Sequence, residues 1–415
     1  MQTIDLKELS VKESERVEWK EGNADIEGII KTAVAFANDF SNLGGGYIVC
    51  GAKEVKDEYG FQKLTQEGLT ASVLNEIEGK VLSGLRDKTT PPIVPITEEI
   101  PVSEDKRILV FIIPASKNAH SFRSGSKDSS AYYVRIGRET REARNGLYRE
   151  LLIQKNELEP FDKRVNSKQT KDDIDLILLR EYLKEMKLWN DSKSVEDYLS
   201  DTERISVFVP SLTEKESITN IPRPKNFSLL MFTRQPLDYF DGAYTLFSVY
   251  DGTDRSVARS VRHEITGDLV SQARKCIALA SDHAFTSFNK ESDRPNQIKY
   301  PIRALQEAIV NCFAHRDYET GQPARISVFS DRIEIYSPGT LPRALDKEKF
   351  LTGKAAPFWR NQSLAYFFNK LQLAQAEGQG IPTIFRTMKE EGCPVPVFEI
   401  GTESVTCILY ANPNA

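Results

Sequence analysis

An acid and a lysine stand two residues apart near the start of the chain, at Glu18 and Lys20. Side chains two apart on a β-strand point to the same face. This pairing suits a metal-dependent nuclease, in which a carboxylate holds a divalent ion and a lysine stabilises charge. Glu13 precedes the pair, and Glu54 follows a predicted strand at 47–51, so three carboxylates could converge on one metal. An ordinary Glu-Lys pair on an exposed strand explains the spacing equally well.

A second pair of polar side chains lies on a predicted helix at 304–315, where Glu307 and Asn311 are one turn apart on the same face. An Asn oxygen can coordinate the Mg²⁺ ion that accompanies nucleotide phosphates, and a Glu one turn back can polarise an attacking water. The run H-R-D-Y at 315–318 places further polar groups at the helix end. The alternative is a Glu/Asn pair on an exposed helix, which is common.

Arginines recur at every third residue between 135 and 144, with further cations in the preceding loop. A predicted helix at 138–155 would place three of them along one flank, as a surface that follows phosphates. Glu139 and Glu142 lie between them, so ion pairs on a solvated face are the other interpretation. The candidate nucleic-acid-binding residues are Arg123, Lys127, Arg135, Arg138, Arg141 and Arg144.

The elements that position these residues predict a mixed α/β (α+β) chain of three units. Polar stretches at 161–170 and 289–300 divide the chain into residues 1–163, a connector at 164–295 and a C-terminal unit at 296–415. The first unit has predicted strands at 16–20, 47–51, 107–114 and 132–136 and helices at 26–38 and 69–82. The last has the helix at 304–315, a hairpin of strands at 325–329 and 332–336, helices at 361–369 and 382–390, and a strand at 405–410. The three glycines at 44–46 are interpreted as a turn, and Asn38 as a helix C-cap.

Composition narrows the chemistry. The 415 residues carry a net charge of −5, and residues 1–60 already hold 12 acids and 7 bases, while residues 117–164 hold 11 bases and 7 acids. An acidic and a basic segment therefore lie close together in the sequence, and the total charge does not exclude nucleic acid. The five cysteines are scattered and the histidines number four, so we expect a reduced, cytoplasmic protein whose metal is a hard ion, Mg²⁺ or Mn²⁺, held by oxygen ligands. No apolar run is long enough to span a bilayer, and no membrane partner is expected.

Three motifs in the first unit together resemble the Schlafen AlbA-like domain. They are E-S-E-R-V-E-W-K at 13–20, A-F-A-N at 35–38 and G-G-Y-I-V-C-G at 45–51, and Y-Y-V-R-I-G at 132–137 resembles the closing segment of that domain. The resemblance implies nucleic-acid binding. Its Schlafen members cleave structured RNA such as tRNA with three acids, which correspond here to Glu13, Glu18 and Glu54. The third position departs from the family, which often has Asp there.

The C-terminal unit resembles the divergent histidine-kinase-like (GHKL) ATPase domain. The motifs are E-A-I-V-N-C-F-A-H-R-D-Y at 307–318, D-R-I-E-I-Y-S-P-G at 331–339, R-N-Q-S-L-A at 360–365 and E-G-Q-G-I at 377–381. The resemblance implies an α/β sandwich that binds ATP or another nucleotide, with Glu307 as hydrolytic base and Asn311 as Mg²⁺ ligand. It assigns the remaining cofactor contacts to His315, Arg316, Asp317, Gly339, Arg360, Asn361, Gly378 and Gly380. Efficient ATPases of the family carry an Asp that binds adenine where this chain has Ser337, so base selectivity and turnover stay open.

The expected function is a nucleotide-regulated, metal-dependent nuclease that acts on nucleic acid, with tRNA-like RNA as the favoured substrate and a homo-oligomer as its assembly. Such a design fits anti-phage defence. The alternatives are an ATP-binding, DNA-binding transcriptional regulator without nuclease activity, and a plain ATPase that uses its N-terminal domain as a tether.

Overall fold

The computed structural model describes residues 14–22, 25–56, 62–124, 129–144, 146–200, 204–206, 209–217, 219–256, 259–286, 297–342, 345, 347–374 and 379–415. Glu13, Lys127 and Gly378 lie outside these residues, as does the side chain of Glu54. The chain forms two compact units, Met1–Glu159 and Pro160–Ala415. Each is described by itself.

Two four-stranded sheets and a buried helix make up the first unit. One sheet has the order β1-β2-β7-β6 and consists of Val17–Lys20, Gly45–Cys50, Arg107–Pro114 and Ile96–Pro101. The other has the order β10-β9-β8-β5 and consists of Glu139–Glu142, Ala131–Ile136, Ser121–Phe122 and Thr89–Thr90. A separate hairpin pairs β3 (Ala52–Lys56) with β4 (Gln62–Gln66). Helix α1 (Ile26–Asn38) packs against both sheets through a core that includes Ile29, Ile30 and Phe36, and α2 (Ala71–Asp87) adds Leu74, Ile77 and Val81. β1 is an edge strand, which leaves Glu18 and Lys20 at the margin of its sheet.

The predicted turn at glycines 44–46 is wrong for two of the three, because Gly45 and Gly46 are the first residues of β2 and only Gly44 precedes the strand. Gly44 and Gly45 have φ angles of +86° and +93°, which favour glycine. A Cβ on Gly45 would lie 2.0 Å from the Ile113 oxygen, and one on Gly46 would lie 2.4 Å from the Phe36 ring. The start of β2 therefore needs glycine because β7 and α1 approach its backbone closely.

The predicted helix at 138–155 is wrong. Residues Glu139–Glu142 form β10, which pairs antiparallel with β9, and helix α3 covers only Gly146–Gln154. Gly137 at φ +60° makes the tight turn between β9 and β10. The arginine spacing of three resembles a helical period, but the alternation of exposed and half-buried residues in β10 has the period of two expected of a strand.

A six-stranded sheet with helices packed on it forms the centre of the second unit. Its order is β14-β13-β15-β16-β18-β17, from Ser260–Ile265, Thr245–Tyr250, Ala324–Val328, Arg332–Pro338, Ser404–Tyr410 and Val397–Ile400. The larger helices are α7 (Leu269–Ser281), α8 (Ile302–His315), α10 (Gln362–Lys370) and α11 (Gly380–Glu390). Smaller elements precede them: α4 (Leu176–Glu185), α5 (Val195–Tyr198), α6 (Asn226–Phe232), α9 (Lys347–Leu351) and the pair β11 and β12 (Thr213–Lys215, Pro222–Pro224).

Strands from both sides of the expected boundary at 295/296 share this sheet. β13, from the expected connector, pairs parallel with β15, from the expected C-terminal unit. One hydrophobic core runs from Ile174 to Leu409 and includes the apolar face of α8. The fold class is α+β, as the sequence predicts.

Candidate functional site

A cavity of about 160 Å³ opens in the second unit between α8, α11 and the end of β16. Helix α8 is amphipathic, so Leu305, Ile309 and Phe313 are buried in the core while Asn311 and His315 line the cavity. The loop after β16 and the segment before α10 complete its walls. Those walls are mostly apolar, with Leu341, Pro342, Leu345, Phe350, Pro357, Phe358, Trp359, Ile384 and Phe398 among the lining residues.

Asn311 and Gly380 line one end of this cavity, and Glu307, which is not a lining residue, lies beside Gly380. Glu307 is buried, at 3% exposure. A Cβ on Gly380 would lie 3.0 Å from Glu307 Oε2 and 3.1 Å from Asn311 Nδ2, so only glycine lets the start of α11 approach these groups. The buried Nδ2 of Asn311 finds no hydrogen-bond partner among the described residues. The start of an 11-residue helix, which has no side-chain cap among the described residues, therefore lies beside an amide and a carboxylate, an arrangement that can hold phosphate and a hydrated cation.

His315 and Arg360 supply the other polar chemistry of the cavity. Burial, together with the nearby charge of Arg360, lowers the pKa of His315 to about 4, so its imidazole is neutral at physiological pH. Arg360 donates to the Thr340 carbonyl at 2.6 Å and lies 3.8 Å from Asp317. Among the described lining residues Arg360 is the only cation, and none is Asp or Glu. The cavity thus favours an anion at its polar end.

Three residues that the resemblance assigns to cofactor binding have other partners. Arg316 is fully buried and donates to the carbonyls of Tyr244 and Gln322 at 3.2 and 2.6 Å. Asn361 is 1% exposed, and its Nδ2 donates to the carbonyls of Ala314 and Arg316 at the end of α8.

Asp317 lies at the edge of the cavity. Its Oδ1 accepts from the Glu319 N–H, and its Cβ lies 2.7 Å from where a Gly339 Cβ would be. Gly339, at φ +99°, lines the cavity and makes the turn that brings Asp317 and Arg360 together. These contacts hold the end of α8, so Arg316, Asn361 and Asp317 position the site rather than line it.

The residues of this pocket fit a nucleotide with its Mg²⁺ ion at one end. The oxygens of Glu307 and Asn311 beside a helix N-terminus are hard donors of the kind that Mg²⁺ accepts. Only two such groups meet here, and within the described part of the chain no cluster of three or more His, Cys, Asp or Glu forms a complete metal site. An ion at this end would therefore rely on ligand phosphates for its remaining contacts.

The other candidate centre lies in the first unit, where Glu18 is bound by two cations. Its Oε1 lies 2.9 Å from Lys20 Nζ, and its Oε2 lies 2.7 Å from Arg135 Nη2. Arg135 is 4% exposed and also donates to the Ser14 carbonyl and to Thr140. Both oxygens of Glu18 are occupied, so this carboxylate does not fit a metal ligand in this arrangement. Asp25, 4.0 Å from Lys20, is the next acid.

The predicted basic strip is split between the interior and the surface. Arg135 is interior, because its guanidinium pairs with Glu18 and lies over the Phe36 ring. The remaining described arginines are exposed: Arg123, Arg138, Arg141 and Arg144. Arg141 pairs with Glu139 and Arg144 with Glu142, at side-chain exposures of 60% and 70% for the arginines. The face is solvated and carries ion pairs, as the second interpretation expects, whereas phosphate binding by its guanidinium groups stays a prediction.

Sequence reasoning missed two positioning features. Asn38 is not the C-cap of α1, a role that Asp39 takes. The buried Asn38 side chain bonds the backbones of His120 and Tyr133, which holds α1 against the second sheet. In the other unit, the apolar run A-A-P-F-W at 355–359 forms a wall of the cavity. Its signal was a run of apolar residues directly before the R-N pair.

Two family descriptions match the chain. "Schlafen, AlbA_2" matches residues 3–144, and "Putative ATP-dependent DNA helicase recG C-terminal" matches residues 321–409. The chain therefore carries a Schlafen AlbA_2 domain followed by a domain of the RecG C-terminal type, as the motifs predict. A search of curated proteins finds no match.

Solved structures give weaker likenesses. The crystal structure of the DIP2311 protein from Corynebacterium diphtheriae has a TM-score of 0.45 and 17% identity, over 96% of this chain and 65% of that one. The chain thus spans less than two thirds of that relative. The solution structure of the N-terminal domain of a RecG-related protein from Nitrosomonas europaea has a TM-score of 0.25 and 24% identity, over 31% of this chain and 82% of that one.

The search for membrane spans found no helix, within the part of the chain that the structure describes, with the length and apolarity to cross a bilayer. The two matched domain types indicate nucleic-acid binding together with ATP binding.

Proposed function

We propose that this protein binds a nucleoside triphosphate in the cavity of its second unit and nucleic acid on its first unit. The observation that carries the nucleotide site is the meeting of Gly380 with Glu307 and Asn311 at the start of α11. Phosphates bind there because helix N–H groups and the Arg360 guanidinium both attract anions. Magnesium, when bound, would neutralise phosphate charge, and Asn311 is the residue that would hold it.

Calorimetric titration of the whole protein with ATP and Mg²⁺ tests this site. Arg360→Gln should weaken binding by roughly 10-fold or more, because a charge-assisted hydrogen bond contributes about 1.5–3 kcal/mol. Arg386→Gln is the matched control, since Arg386 is an exposed arginine of α11 outside the cavity that pairs with Glu390. Equal losses in the two variants would show a general charge effect and refute the site.

Turnover is a separate property of this pocket. Glu307 is the candidate base, because its carboxylate lies beside Gly380 and Asn311, at the end of the pocket where we propose that phosphate binds. Glu307→Gln should abolish any phosphate release while ATP still binds. Phosphate release that persists in this variant would assign hydrolysis to another group.

Nucleic-acid binding is proposed for the exposed arginines beside β9 and β10. Neutralising Arg141 and Arg144 together should weaken binding to duplex and single-stranded probes. The slope of log affinity against log salt concentration should fall by about one unit for each arginine removed. Arg86→Gln is a matched control, because Arg86 is also an exposed arginine of this unit, paired with Asp87. Unchanged salt dependence in the double variant would remove this surface from consideration.

Cleavage of nucleic acid is the second candidate function. Its support is the Glu18–Lys20 pair on the edge strand β1, with side-chain exposures of 13% and 23%. Incubation with tRNA, single-stranded DNA and duplex DNA, with Mg²⁺ or Mn²⁺ and with or without ATP, tests it. Cleavage that Glu18→Ala and EDTA both abolish, while binding persists, would establish the nuclease. Binding without degradation would favour the DNA-binding regulator.

Substrate preference, assembly, biological role and location can each be tested with the whole protein. The expected preference for RNA over DNA is measured by letting tRNA and duplex DNA compete in the binding assay. Nucleotide-dependent homo-oligomer formation is measured by light scattering with and without ATP. A role in anti-phage defence predicts that cells expressing the intact protein resist infection, whereas cells expressing Arg360→Gln do not. Fractionation of the same cells tests the cytoplasmic location.

A further inference from the structure

The hydroxyl and thiol groups that line the cavity are directed into the fold. Ser337 Oγ donates to the Cys312 carbonyl at 3.1 Å, and Thr340 Oγ1 donates to the Gly401 carbonyl at 2.6 Å. The Cys312 thiol donates to the Tyr336 carbonyl at 3.5 Å. Each of these donors is therefore already used by a backbone carbonyl. The groups can only accept from a bound ring, and adenine and guanine both carry an amino group that can donate, so acceptance alone does not separate the two bases.

The polar groups that remain lie together. Asn311 meets Gly380 at the start of α11, and His315 follows Asn311 by one turn of α8. Arg360 is near enough to His315 for its charge to lower the pKa of that imidazole. These groups match the phosphate end of a nucleotide, because Arg360 and the helix N-terminus both favour negative charge.

The rest of the described lining offers apolar surface to the other end of the ligand. It includes Ile335, Leu341, Phe350, Phe358 and Val405, and the described lining has no carboxylate. The four bases differ chiefly in the donors and acceptors on their ring edges. An apolar wall cannot read that difference, and an apolar pocket separates similar ligands by only about 10- to 100-fold, against about 10⁴-fold or more for a hydrogen-bonded pocket.

We infer that this pocket binds nucleoside triphosphates through their phosphates and an apolar contact with the ring, with little distinction between ATP and GTP. The inference rests on the proposed nucleotide site and specifies its ligand class. It differs from an adenine-specific ATP site because the described lining holds no carboxylate that could accept from the adenine amino group.

Titration of the whole protein with ATP, GTP, CTP, UTP and inorganic triphosphate, each with Mg²⁺, tests the inference. The dissociation constants of ATP and GTP should lie within about 100-fold of each other, the most that an apolar pocket resolves. Triphosphate alone should bind more weakly than any nucleotide, because it lacks the ring. A preference for ATP over GTP above about 100-fold overturns the inference, as does triphosphate binding as tightly as ATP.

The variant Ser337→Ala adds a second readout. Because the Ser337 hydroxyl is used by the Cys312 carbonyl, its removal should leave the ratio of ATP to GTP affinity unchanged within about twofold, even if the fold loses some stability. A larger change in this ratio would show that Ser337 reads the base. Failure of every nucleotide to bind would refute the proposed site itself, whereas binding restricted to ATP refutes only the lack of base selectivity.

Discussion

Replacing Gly380 by alanine separates ligand binding from stability at the candidate nucleotide site. The φ angle of Gly380 lies outside the left-handed region, so the backbone accepts alanine without strain. The new methyl group would lie 3.0 Å from Glu307 Oε2, 3.1 Å from Asn311 Nδ2 and 3.3 Å from Asn311 Oδ1. These distances are a few tenths of an ångström too short, so the Asn311 amide must move, and the gap between α8 and α11 fills.

Two effects on stability oppose each other in this variant. Alanine favours a helix over glycine by up to about 1 kcal/mol, and the displaced side chains cost a similar amount. The net change in unfolding free energy should stay within about 1 kcal/mol, a shift of about 2–4 °C in the midpoint of thermal unfolding. The loss of a hydrogen bond to a charged phosphate is larger, about 1.5–3 kcal/mol. That is roughly a 10- to 150-fold rise in the dissociation constant.

Calorimetric titration with ATP and a parallel thermal melt measure both quantities. Gly79→Ala is the control, because Gly79 lies within α2 and a Cβ there meets no atom within 4 Å, so only helix propensity changes. Binding of ATP by Gly380→Ala within twofold of the native protein would refute the placement of phosphate between α8 and α11. A collapse of the fold in Gly380→Ala alone would refute the balance of the two stability effects.

Further predictions concern charge and burial. Arg135→Met should lower the stability of the first unit by about 3 kcal/mol, because it leaves Glu18 without its buried partner. Urea unfolding followed by the fluorescence of the buried Trp19 measures this, and the loss should shrink when Glu18→Gln is combined with it. Stability of the second unit should fall by about 2 kcal/mol as pH drops from about 6.5 to 4, because the folded pKa of His315 is depressed to about 4; His315→Gln should flatten the melting temperature across that window. Asn361→Ala should lower unfolding free energy by about 2 kcal/mol while ATP affinity changes by less than about threefold, since the side chain bonds only backbone carbonyls of α8.

Local periodicity predicts most of the elements that carry the candidate sites. The amphipathic pattern at 304–315 corresponds to α8 at Ile302–His315, and the alternation at 332–336 corresponds to β16. Burial of one face of a helix or strand requires apolar residues at a regular spacing, and that spacing is visible in a short stretch of sequence. The helix predicted from the arginine spacing after residue 138 is wrong because an exposed, ion-paired strand and an exposed helix have similar composition. The turn at Gly137 favours the strand.

Local sequence patterns do not predict contacts between residues that are far apart in the sequence. The position of Glu18 beside Lys20 follows from strand geometry, but its second cation, Arg135, comes from another sheet of the same unit. Asn361 is assigned to the ligand by its motif, yet it bonds the end of α8 because the fold brings α10 there. In both cases a motif indicates that a residue matters, whereas only tertiary packing determines what it touches.

The pairing of Glu18 has a consequence for the choice between binding and cleavage. A divalent ion that used this carboxylate would have to displace Lys20, Arg135 or both. Arg135 has a side-chain exposure of 5%, and a buried charge that loses its partner costs about 3–5 kcal/mol. Metal binding at Glu18 therefore requires β9, or the segment around Ser14, to rearrange so that Arg135 regains a partner. A phosphate that contacted Lys20, whose side chain is 23% exposed, would leave the Glu18–Arg135 pair intact, so we expect nucleic-acid binding here to cost less free energy than metal capture. Trp19 lies between Glu18 and Lys20 on β1, so cleavage should be accompanied by a change in the environment of this side chain. Addition of metal that starts cleavage but leaves Trp19 fluorescence unaltered would contradict this coupling.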